Sequence, residues 1–260
     1  MHGSEEEMAR SARQPKLTPI PRRSLSDAVF EQLRDQIVSG AMAAGSPLPA
    51  ERLLCEALGV NRSSVREAMR RLQQAGLVAV RQGGASQVLD YRGSAGLDLL
   101  ENLLFTPAGD LDPEVIRSVL QMRSAIAPDA ARLAARRPSS KLASQLDDLV
   151  RQMKQSLSDL PRLQGLALDY WEMIVGASDN VAYRLAYNSL RRTYDKCREL
   201  LRAVLADELT DVVSYAAIAS AVRRGDAAGA ESRARNLMRR GESAISAALK
   251  QLERMKRRAS

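Results

Sequence analysis

The sequence is short of the residues on which most enzymes and metal sites depend. It has one histidine, His2, in a polar N-terminal tail, and two cysteines, Cys55 and Cys197. A Ser-His-Asp triad, a Cys-His dyad and a histidine-ligated zinc each need a well-placed imidazole, so we predict none of these sites. Two cysteines cannot form a four-cysteine metal site, and they indicate no disulfide framework. Cys55 follows apolar Leu54, which favours a packed side chain over a redox switch.

Long apolar runs are missing as well. No stretch approaches the ~20 apolar residues of a membrane-spanning helix. The chain begins with Glu5, Glu6 and Glu7 rather than with a basic segment and an apolar signal. We therefore expect a soluble, cytoplasmic protein without a membrane partner. The hydrophobic content of 45% suffices for a packed core, and the net charge of +8 favours a polyanionic partner.

The chain divides into three predicted segments. Residues 1–22 lack periodicity and contain Pro15, Pro19 and Pro21, which predicts a disordered arm. Residues 23–92 form a compact unit, and residues 93–258 are helical apart from short predicted breaks at 107–109, 137–140, 159–161, 178–180, 206–211 and 224–226. The predicted fold is mainly α, with an N-terminal winged helix-turn-helix, including a small β-hairpin wing, and a C-terminal all-helical effector-binding bundle of six to seven helices.

In residues 23–92, the spacing of apolar residues supports the predicted order of three helices followed by a hairpin. Ser24 can cap a helix with Asp27 three residues on, and apolar residues then recur at spacing four. Two short helical patterns follow, ended by Gly59 and Gly76. Residues 77–80 and 87–89 read as a hairpin around the Gly83-Gly84 turn. Further along, we expect Pro113 in the first turn of a helix and a kink at Pro128.

The second short helix has the composition of a DNA-reading helix. Arginine can grip guanine with two hydrogen bonds, asparagine suits adenine, and serine reaches phosphate. The positive helix N-terminus favours phosphate too. The alternative is that the arginines only form a solvated face, but that does not explain the preceding helix, the turn and the wing. The predicted DNA contacts are Arg52, Asn61, Arg62, Ser63, Ser64, Arg66, Gln82 and Gly83.

The same residues carry a family resemblance. Pro49-Ala50-Glu51-Arg52, then Leu58 to Ala68, Leu72 and Gly76-Leu77 resemble the N-terminal domain of GntR-type bacterial transcription regulators over residues 24 to 90. The resemblance implies that Arg52, Arg62 and Arg66 contact bases and nearby phosphates. It also implies that Asn61, Ser63 and Ser64 bind the DNA backbone and that Gly83 acts in the wing. Gln82 stands where relatives carry histidine or arginine.

The helical segment resembles the FadR/FCD branch of that family, whose bundle dimerises and binds a small molecule. Arg123 with residues 130–135, and the turn Ala177-Ser178-Asp179-Asn180, carry this resemblance. Many members hold a metal. By position those ligands fall at Ala167, Trp171, Tyr215 and Leu237, which cannot bind one. The metal-lacking pattern is similar to the fatty-acid-responsive FadR subgroup, whose effector is long-chain acyl-CoA. That subgroup's ligand-linked serine and tryptophan fall at Gly241 and Ile245.

Tyrosines cluster in the same segment independently of the resemblance. Six of the aromatic residues lie between Tyr170 and Tyr215. Tyrosine combines apolar area with a hydroxyl that seeks a partner, which suits a ligand pocket, although the same residues can simply fill the core. Arg123 is predicted to bind an anionic headgroup or to pair with a carboxylate such as Asp169. The candidate effector residues are Arg123, Asp169, Tyr170, Trp171, Tyr183, Tyr187, Asn188, Tyr194 and Tyr215.

The preferred hypothesis is a homodimeric, ligand-controlled regulator that binds a palindromic double-stranded DNA operator. An effector of the acyl-CoA type, and no cofactor, would modulate operator binding in fatty-acid metabolism. A second hypothesis replaces this effector with a metal-independent organic acid or sugar acid. The third is a helical-bundle enzyme, which no nucleotide loop or paired-carboxylate motif supports.

Overall fold

The computed structural model describes residues 24–80, 86–106 and 108–259. The chain forms two compact units, Met1–Ser94 and Ala95–Ser260, which are considered separately below. The predicted arm 1–22 and the predicted wing contacts Gln82 and Gly83 lie outside the described residues.

Three helices build the first unit: α1 (Leu25–Val38), α2 (Glu51–Leu58) and α3 (Arg62–Gln74). The predicted cap of α1 is confirmed, because Ser24 and Asp27 form a reciprocal capping box. Gly59 ends α2 in the left-handed conformation at φ +64°, where glycine carries no Cβ penalty. The chain can therefore turn within a few residues from α2 into α3.

The predicted wing strands are present but short. β1 (Val78–Ala79) pairs antiparallel with β2 (Gln87–Val88), with Val78 opposite Val88. Both valines are buried, so this end of the hairpin is held by the core of the unit. A single helical turn, α4 (Tyr91–Ser94), follows.

Helices form nearly all of the regular structure among the described residues of the second unit, beside an isolated β-bridge between Phe105 and Leu111. After a 3-10 turn at Leu97–Leu99, its helices are α5 (Leu100–Leu103), α6 (Pro113–Ala135), α7 (Ser140–Gln155), α8 (Leu160–Ala177), α9 (Val181–Lys196), α10 (Arg198–Val204), α11 (Ala206–Thr210), α12 (Val212–Arg223) and α13 (Ala227–Ala259). Six of these, α6 to α9, α12 and α13, have at least 12 residues and correspond to the predicted bundle. The sequence prediction missed the short elements: α9 ends at an unpredicted break at Cys197, and the predicted break at 206–211 contains α11.

Two prolines show how α6 is built. Pro113 occupies the first turn behind the cap Asp112, where a missing N–H is tolerated, as predicted. Pro128 lies buried inside α6, and the structure assigns one continuous helix across it. The kink expected at Pro128 stays a prediction.

The core of the second unit lies between α6, α7, α8, α12 and α13. The long helices α6 and α13 pack along each other, and α6 contributes fully buried alanines to the core, including Ala130, Ala131 and Ala134. Tyr170, Trp171 and Tyr215 lie in the same core. In the described part of the chain, no helix is both long and apolar enough to span a bilayer.

Candidate DNA-binding surface and effector cavity

Helix α3 has one buried and one exposed face. Its buried side is the predicted stripe Val65, Ala68, Met69 and Leu72, which packs against α1 and α2. Its exposed side carries Arg62, Ser63 and Arg66. Arg52 is exposed on the preceding α2. We call Arg52, Arg62 and Arg66 the basic face of the first unit.

Two members of the basic face are paired within the protein. Arg66 Nε donates to Glu51 Oε2 at 2.9 Å, and Arg52 Nη1 donates to Glu56 Oε1 at 2.6 Å. Both arginine side chains remain about two-thirds exposed, at 65% and 66%. Exposed pairs of this kind contribute only ~0.2–1 kcal/mol, so phosphates can displace the carboxylates at little cost. Arg62 makes no ion pair with any described residue and is free for a ligand.

Asn61 has a structural task that the sequence analysis did not assign to it. Its Oδ1 accepts from the backbone N–H of Ser64 at 2.9 Å, which makes it the N-cap of α3. The Asn61 oxygen is therefore occupied, and only its amide N–H groups are available to DNA. Ser63 is exposed beside it, whereas Ser64 is half-buried.

Arg71 lies on the opposite side of α3 and fastens that helix to α1. Its guanidinium forms an ion pair with Asp27 and lies over the ring of Phe30, 4.4 Å from the ring centroid. A hydrogen bond from Ser24, with the hydrogen bond from Arg71, holds the pKa of Asp27 below its ordinary value. Arg71 therefore holds α3 against α1, whereas Arg62 and Arg66 are open to solvent.

The second unit contains a cavity of about 110 Å³ between α6, α8, α9 and α11 to α13. Its walls are mainly apolar. The polar and aromatic groups among the lining residues are Arg123, Gln164, Trp171, Tyr187, Arg191, Tyr194, Glu208 and Tyr215. Five predicted effector residues therefore line one cavity: Arg123, Trp171, Tyr187, Tyr194 and Tyr215.

Arg123 is paired with Glu208 and not with Asp169. The Arg123 guanidinium donates to Glu208 Oε1 in a short ion pair, and Glu208 is buried. Burial lowers the pKa of Arg123, but the charge and hydrogen bond of Glu208 outweigh it and hold that pKa above its ordinary value. Asp169 is exposed and lies 3.7 Å from Arg191. The expected pairing with Asp169 is wrong because Asp169 points to the outer surface of α8.

The remaining predicted effector residues lie outside the cavity lining. Tyr170 is fully buried and donates to the Tyr215 carbonyl at 3.0 Å. Tyr183 donates to Asp129 Oδ2 at 3.0 Å. Asn188 is exposed on α9. Tyr170 and Tyr183 are therefore used by the protein itself, and Asn188 faces away from the core.

Hydrogen bonds fix two tyrosines of the lining. Tyr187 donates to the Leu168 carbonyl at 2.7 Å, so it presents its ring to the cavity. Tyr194 accepts from Gln164 Nε2 at 2.6 Å, and the same nitrogen donates to the Arg198 carbonyl at 2.8 Å. Burial raises the pKa of both phenols, which keeps them neutral.

Glu208 is the residue of this site that sequence reasoning missed. It lies in α11, a five-residue helix where the sequence predicted a break, and an acidic residue in a break is expected to be solvated. Gly241 of α13 makes room for it, because a Cβ at position 241 would stand 1.8 Å from Glu208 Oε2. A glycine inside a long helix was the one signal available in the sequence.

The described residues contain no group of three or more His, Cys, Asp or Glu that could hold a metal ion. Of the positions that the resemblance assigned to metal ligands, Ala167, Trp171 and Tyr215 line the cavity, and Leu237 is buried in the core. Among the described residues, the polar groups that this cavity offers a ligand are hydrogen-bonding side chains and the Arg123–Glu208 ion pair.

A winged helix-turn-helix with an open basic face, followed in the chain by a separate helical unit, is the architecture of a transcription regulator. Residues 25–88 match the family of bacterial regulatory proteins called gntR, and residues 118–240 match the FCD domain. The chain belongs to the GntR family of transcription regulators and carries an FCD effector domain.

Relatives with which the chain shares between 64% and 90% of its length agree. The chain is 39% identical to the HTH-type transcriptional regulator Mce2R of Mycobacterium tuberculosis, over 90% of this chain and 96% of the relative. It is 31% identical to the fatty acid metabolism regulator protein of Edwardsiella ictaluri, over 64% and 67%. It is 27% identical to the galactonate operon transcriptional repressor of Escherichia coli, over 79% and 90%. These relatives are regulators of transcription, so the chain is a regulator and not an enzyme.

Proposed function

We propose that the chain is a homodimeric repressor or activator whose affinity for a palindromic operator is set by a small effector in the helical-unit cavity. The cavity beside Arg123 and Glu208 is the observation that carries the proposal, because it combines apolar walls with a few convergent polar groups. Such a ligand acts by binding more tightly to one arrangement of the dimer than to the other. Action on an operator implies a cytoplasmic protein.

The first unit supplies the DNA contacts in this proposal. Arg62 and Arg66 lie at the start of α3, where recognition helices enter the major groove, and Arg52 lies on the helix before it. Asn61 holds the first turn of α3 in place through its cap. In a symmetric dimer two such faces require matching half-sites, which is why the operator is expected to be palindromic.

Apolar surface on α9 supports dimerisation through the second unit. Val181 and Leu185 lie one turn apart, and they are 74% and 62% exposed. Adjacent exposed aliphatic residues on a helix are typical of an interface with a partner. Replacing Leu185 by Asp should convert the dimer to a monomer in sedimentation experiments, whereas Leu157→Asp, at another exposed leucine, should leave the dimer intact.

Within this function we propose a metal-independent organic acid or sugar acid as the effector. Although Arg123 is paired, 26% of its side chain is exposed, so N–H groups remain for a ligand carboxylate. The volume of about 110 Å³ is below the ~300–1,000 Å³ of pockets that enclose drug-sized ligands. A compact ligand fits such a space, whereas an acyl-CoA requires the helices to move apart.

Acyl-CoA is the second candidate because one relative is named a fatty acid metabolism regulator protein and the cavity walls are mainly apolar. Calorimetry with oleoyl-CoA and with short carboxylates and sugar acids distinguishes the two, followed by operator binding with each compound that binds. Saturable binding of a short acid that changes operator affinity supports the preferred effector. Binding of oleoyl-CoA alone would replace it with the second candidate. If no compound changes operator affinity, ligand control through this cavity is wrong.

A further inference from the structure

Three buried polar atoms in the cavity wall have no hydrogen-bond partner. They are Trp171 Nε1, Glu208 Oε2 and Tyr215 Oη, the complete set of such side-chain atoms among the residues that the structure describes. Each of the three side chains is at least nine-tenths buried. A buried polar atom without a partner is destabilising, and such atoms are rare in folded proteins. All three belong to one cavity, which points to a ligand that satisfies them.

The three groups are close neighbours. Burial raises the pKa of the Tyr215 phenol well above its ordinary value, and the Glu208 carboxylate is the next largest cause. Arg123 and the Trp171 N–H act on the same phenol in the opposite direction. The Trp171 N–H lies close enough to the phenol oxygen to lower that pKa as a hydrogen bond does, yet the pair falls outside full hydrogen-bond geometry. The ring of Tyr170 packs edge-on against both, with centroids 5.8 Å from Trp171 and 5.1 Å from Tyr215.

We propose that these three groups form a binding subsite for a hydroxyl group of the effector. The indole N–H of Trp171 can only donate, the ionised carboxylate of Glu208 can only accept, and the phenol of Tyr215 can donate its own proton. A hydroxyl accepts two hydrogen bonds and donates one, so it satisfies all three atoms at once. This inference rests on the proposed function and deepens it, because hydroxy acids and sugar acids present such a group.

Other polar groups do not match the set. A ketone accepts from Trp171 and Tyr215 but leaves Glu208 Oε2 without a donor. A carboxylate adds a negative charge beside Glu208, whose own charge already compensates Arg123. An ammonium group satisfies Glu208 but gives the indole nothing to donate to. The subsite therefore selects a hydroxyl over an acceptor and over an anion.

The selection can be measured with three probes that share one ring: cyclohexanol, cyclohexanone and cyclohexanecarboxylate. Ligand-observed NMR titrations on the full chain give their relative affinities. Cyclohexanol is expected to bind at least tenfold more tightly than cyclohexanone, whereas cyclohexanecarboxylate measures what the remaining N–H groups of Arg123 contribute without a ligand hydroxyl. A buried water resident on the three groups is the competing explanation, and crystals grown with and without cyclohexanol test it. Density for the ring and its hydroxyl in place of that water is the expected result.

Variants separate a binding role from a packing role. Tyr215→Phe and Trp171→Phe remove one donor each and should weaken cyclohexanol about fivefold, which corresponds to ~1 kcal/mol. Tyr170→Phe is the matched control, since its hydroxyl is already bonded to a backbone carbonyl, and the affinity should stay within twofold. Glu208→Gln should weaken cyclohexanol at least tenfold and strengthen cyclohexanecarboxylate, because it removes the competing charge from Arg123. If Glu208→Gln does not fold, the two Phe variants still decide.

Three results would overturn the subsite. They are cyclohexanone binding as tightly as cyclohexanol in the unmodified chain, equal effects of Tyr215→Phe and Tyr170→Phe on cyclohexanol binding, and a water that cyclohexanol never displaces. Operator binding is measured on the same samples. If the cavity shows no preference for a hydroxyl group but an organic acid or sugar acid still changes operator affinity, the subsite is wrong and the proposed function stands. If no ligand changes operator affinity, both fail.

Discussion

Tyr170 and Tyr215 form a matched pair from which one prediction can be worked out in detail. Both rings are fully buried and pack edge-to-face, 5.1 Å between centroids. The Tyr170 hydroxyl donates to a backbone carbonyl, whereas the Tyr215 hydroxyl has no partner. Replacing each by Phe removes the same oxygen from the same core, so the change in ring hydrophobicity cancels between the variants.

The two substitutions should change the free energy of unfolding in opposite directions. Tyr170→Phe loses one buried hydrogen bond, which is worth ~1 kcal/mol net. Tyr215→Phe removes an unsatisfied buried hydroxyl, whose burial costs ~1–3 kcal/mol, so its loss should stabilise by at least ~1 kcal/mol. The variants should therefore differ by about 2 kcal/mol. For a unit of this size that difference corresponds to about 4–8 °C in Tm.

Tryptophan fluorescence is a suitable assay because Trp171 is the only tryptophan and lies in the second unit. Its thermal transition reports on that unit without interference from the first. The Tm of Tyr215→Phe should lie above that of the unmodified chain, and the Tm of Tyr170→Phe below it. Equal losses in the two variants would refute the reasoning, because they would show that the Tyr215 hydroxyl is already hydrogen-bonded without a ligand.

Three further predictions follow from single contacts. Gly241→Ala should destabilise the second unit in urea unfolding although alanine favours helix by ~1 kcal/mol, because its Cβ would displace the Glu208 carboxylate. The control is Gly176→Ala, whose Cβ meets only the end of a flexible arginine side chain, so this variant should be neutral or stabilising. Equal gains in stability for the two variants would contradict the steric argument. The lowered pKa of Asp27 means that its contribution to stability is present above its unfolded pKa of ~3.9 and is lost as the pH falls through the lower folded value. The protection factors of the α1 amides against exchange should therefore fall on acidification, and they should fall less in Asp27→Asn. Burial raises the pKa of Cys197 to about 11, so in a Cys55→Ser variant it should resist iodoacetamide at pH 8 in the folded chain and react only on unfolding; rapid labelling of Cys197 in the folded variant would contradict its burial.

The first unit could be predicted from sequence almost element by element. The capping box at Ser24 and Asp27, the glycine stop at Gly59 and the stripe Val65 to Leu72 are local patterns, and local patterns decide these helices. The pattern could not show which polar residues are used within the protein and which remain available to DNA. Asn61 is the N-cap of α3, but recognising it as the cap requires the exact first residue of that helix, which the sequence pattern does not give.

The cavity was predicted in part. The tyrosine-rich segment correctly indicated helices that line the cavity. The hydroxyls of Tyr170 and Tyr183, however, donate hydrogen bonds to the Tyr215 carbonyl and to Asp129. Which way a buried tyrosine points depends on neighbours far apart in the chain. Glu208 is the clearest case, because its burial requires Arg123, 85 residues earlier, and the space left by Gly241. No local pattern encodes a contact between three separate helices.

The central claim, that the basic face of the first unit reads DNA, is tested most directly by operator affinity as a function of salt. The operator is selected from a random duplex pool with the unmodified chain. Log K should fall linearly with log salt, with a slope of about −0.9 per phosphate contact, and Arg62→Ala and Arg66→Ala should each lower the affinity by ~1–3 kcal/mol. Arg151→Ala, an equally exposed arginine of α7 in the second unit that pairs with Asp148 at 2.9 Å, serves as the control and should change the affinity little. A flat salt dependence, or equal losses in all three variants, would contradict the account.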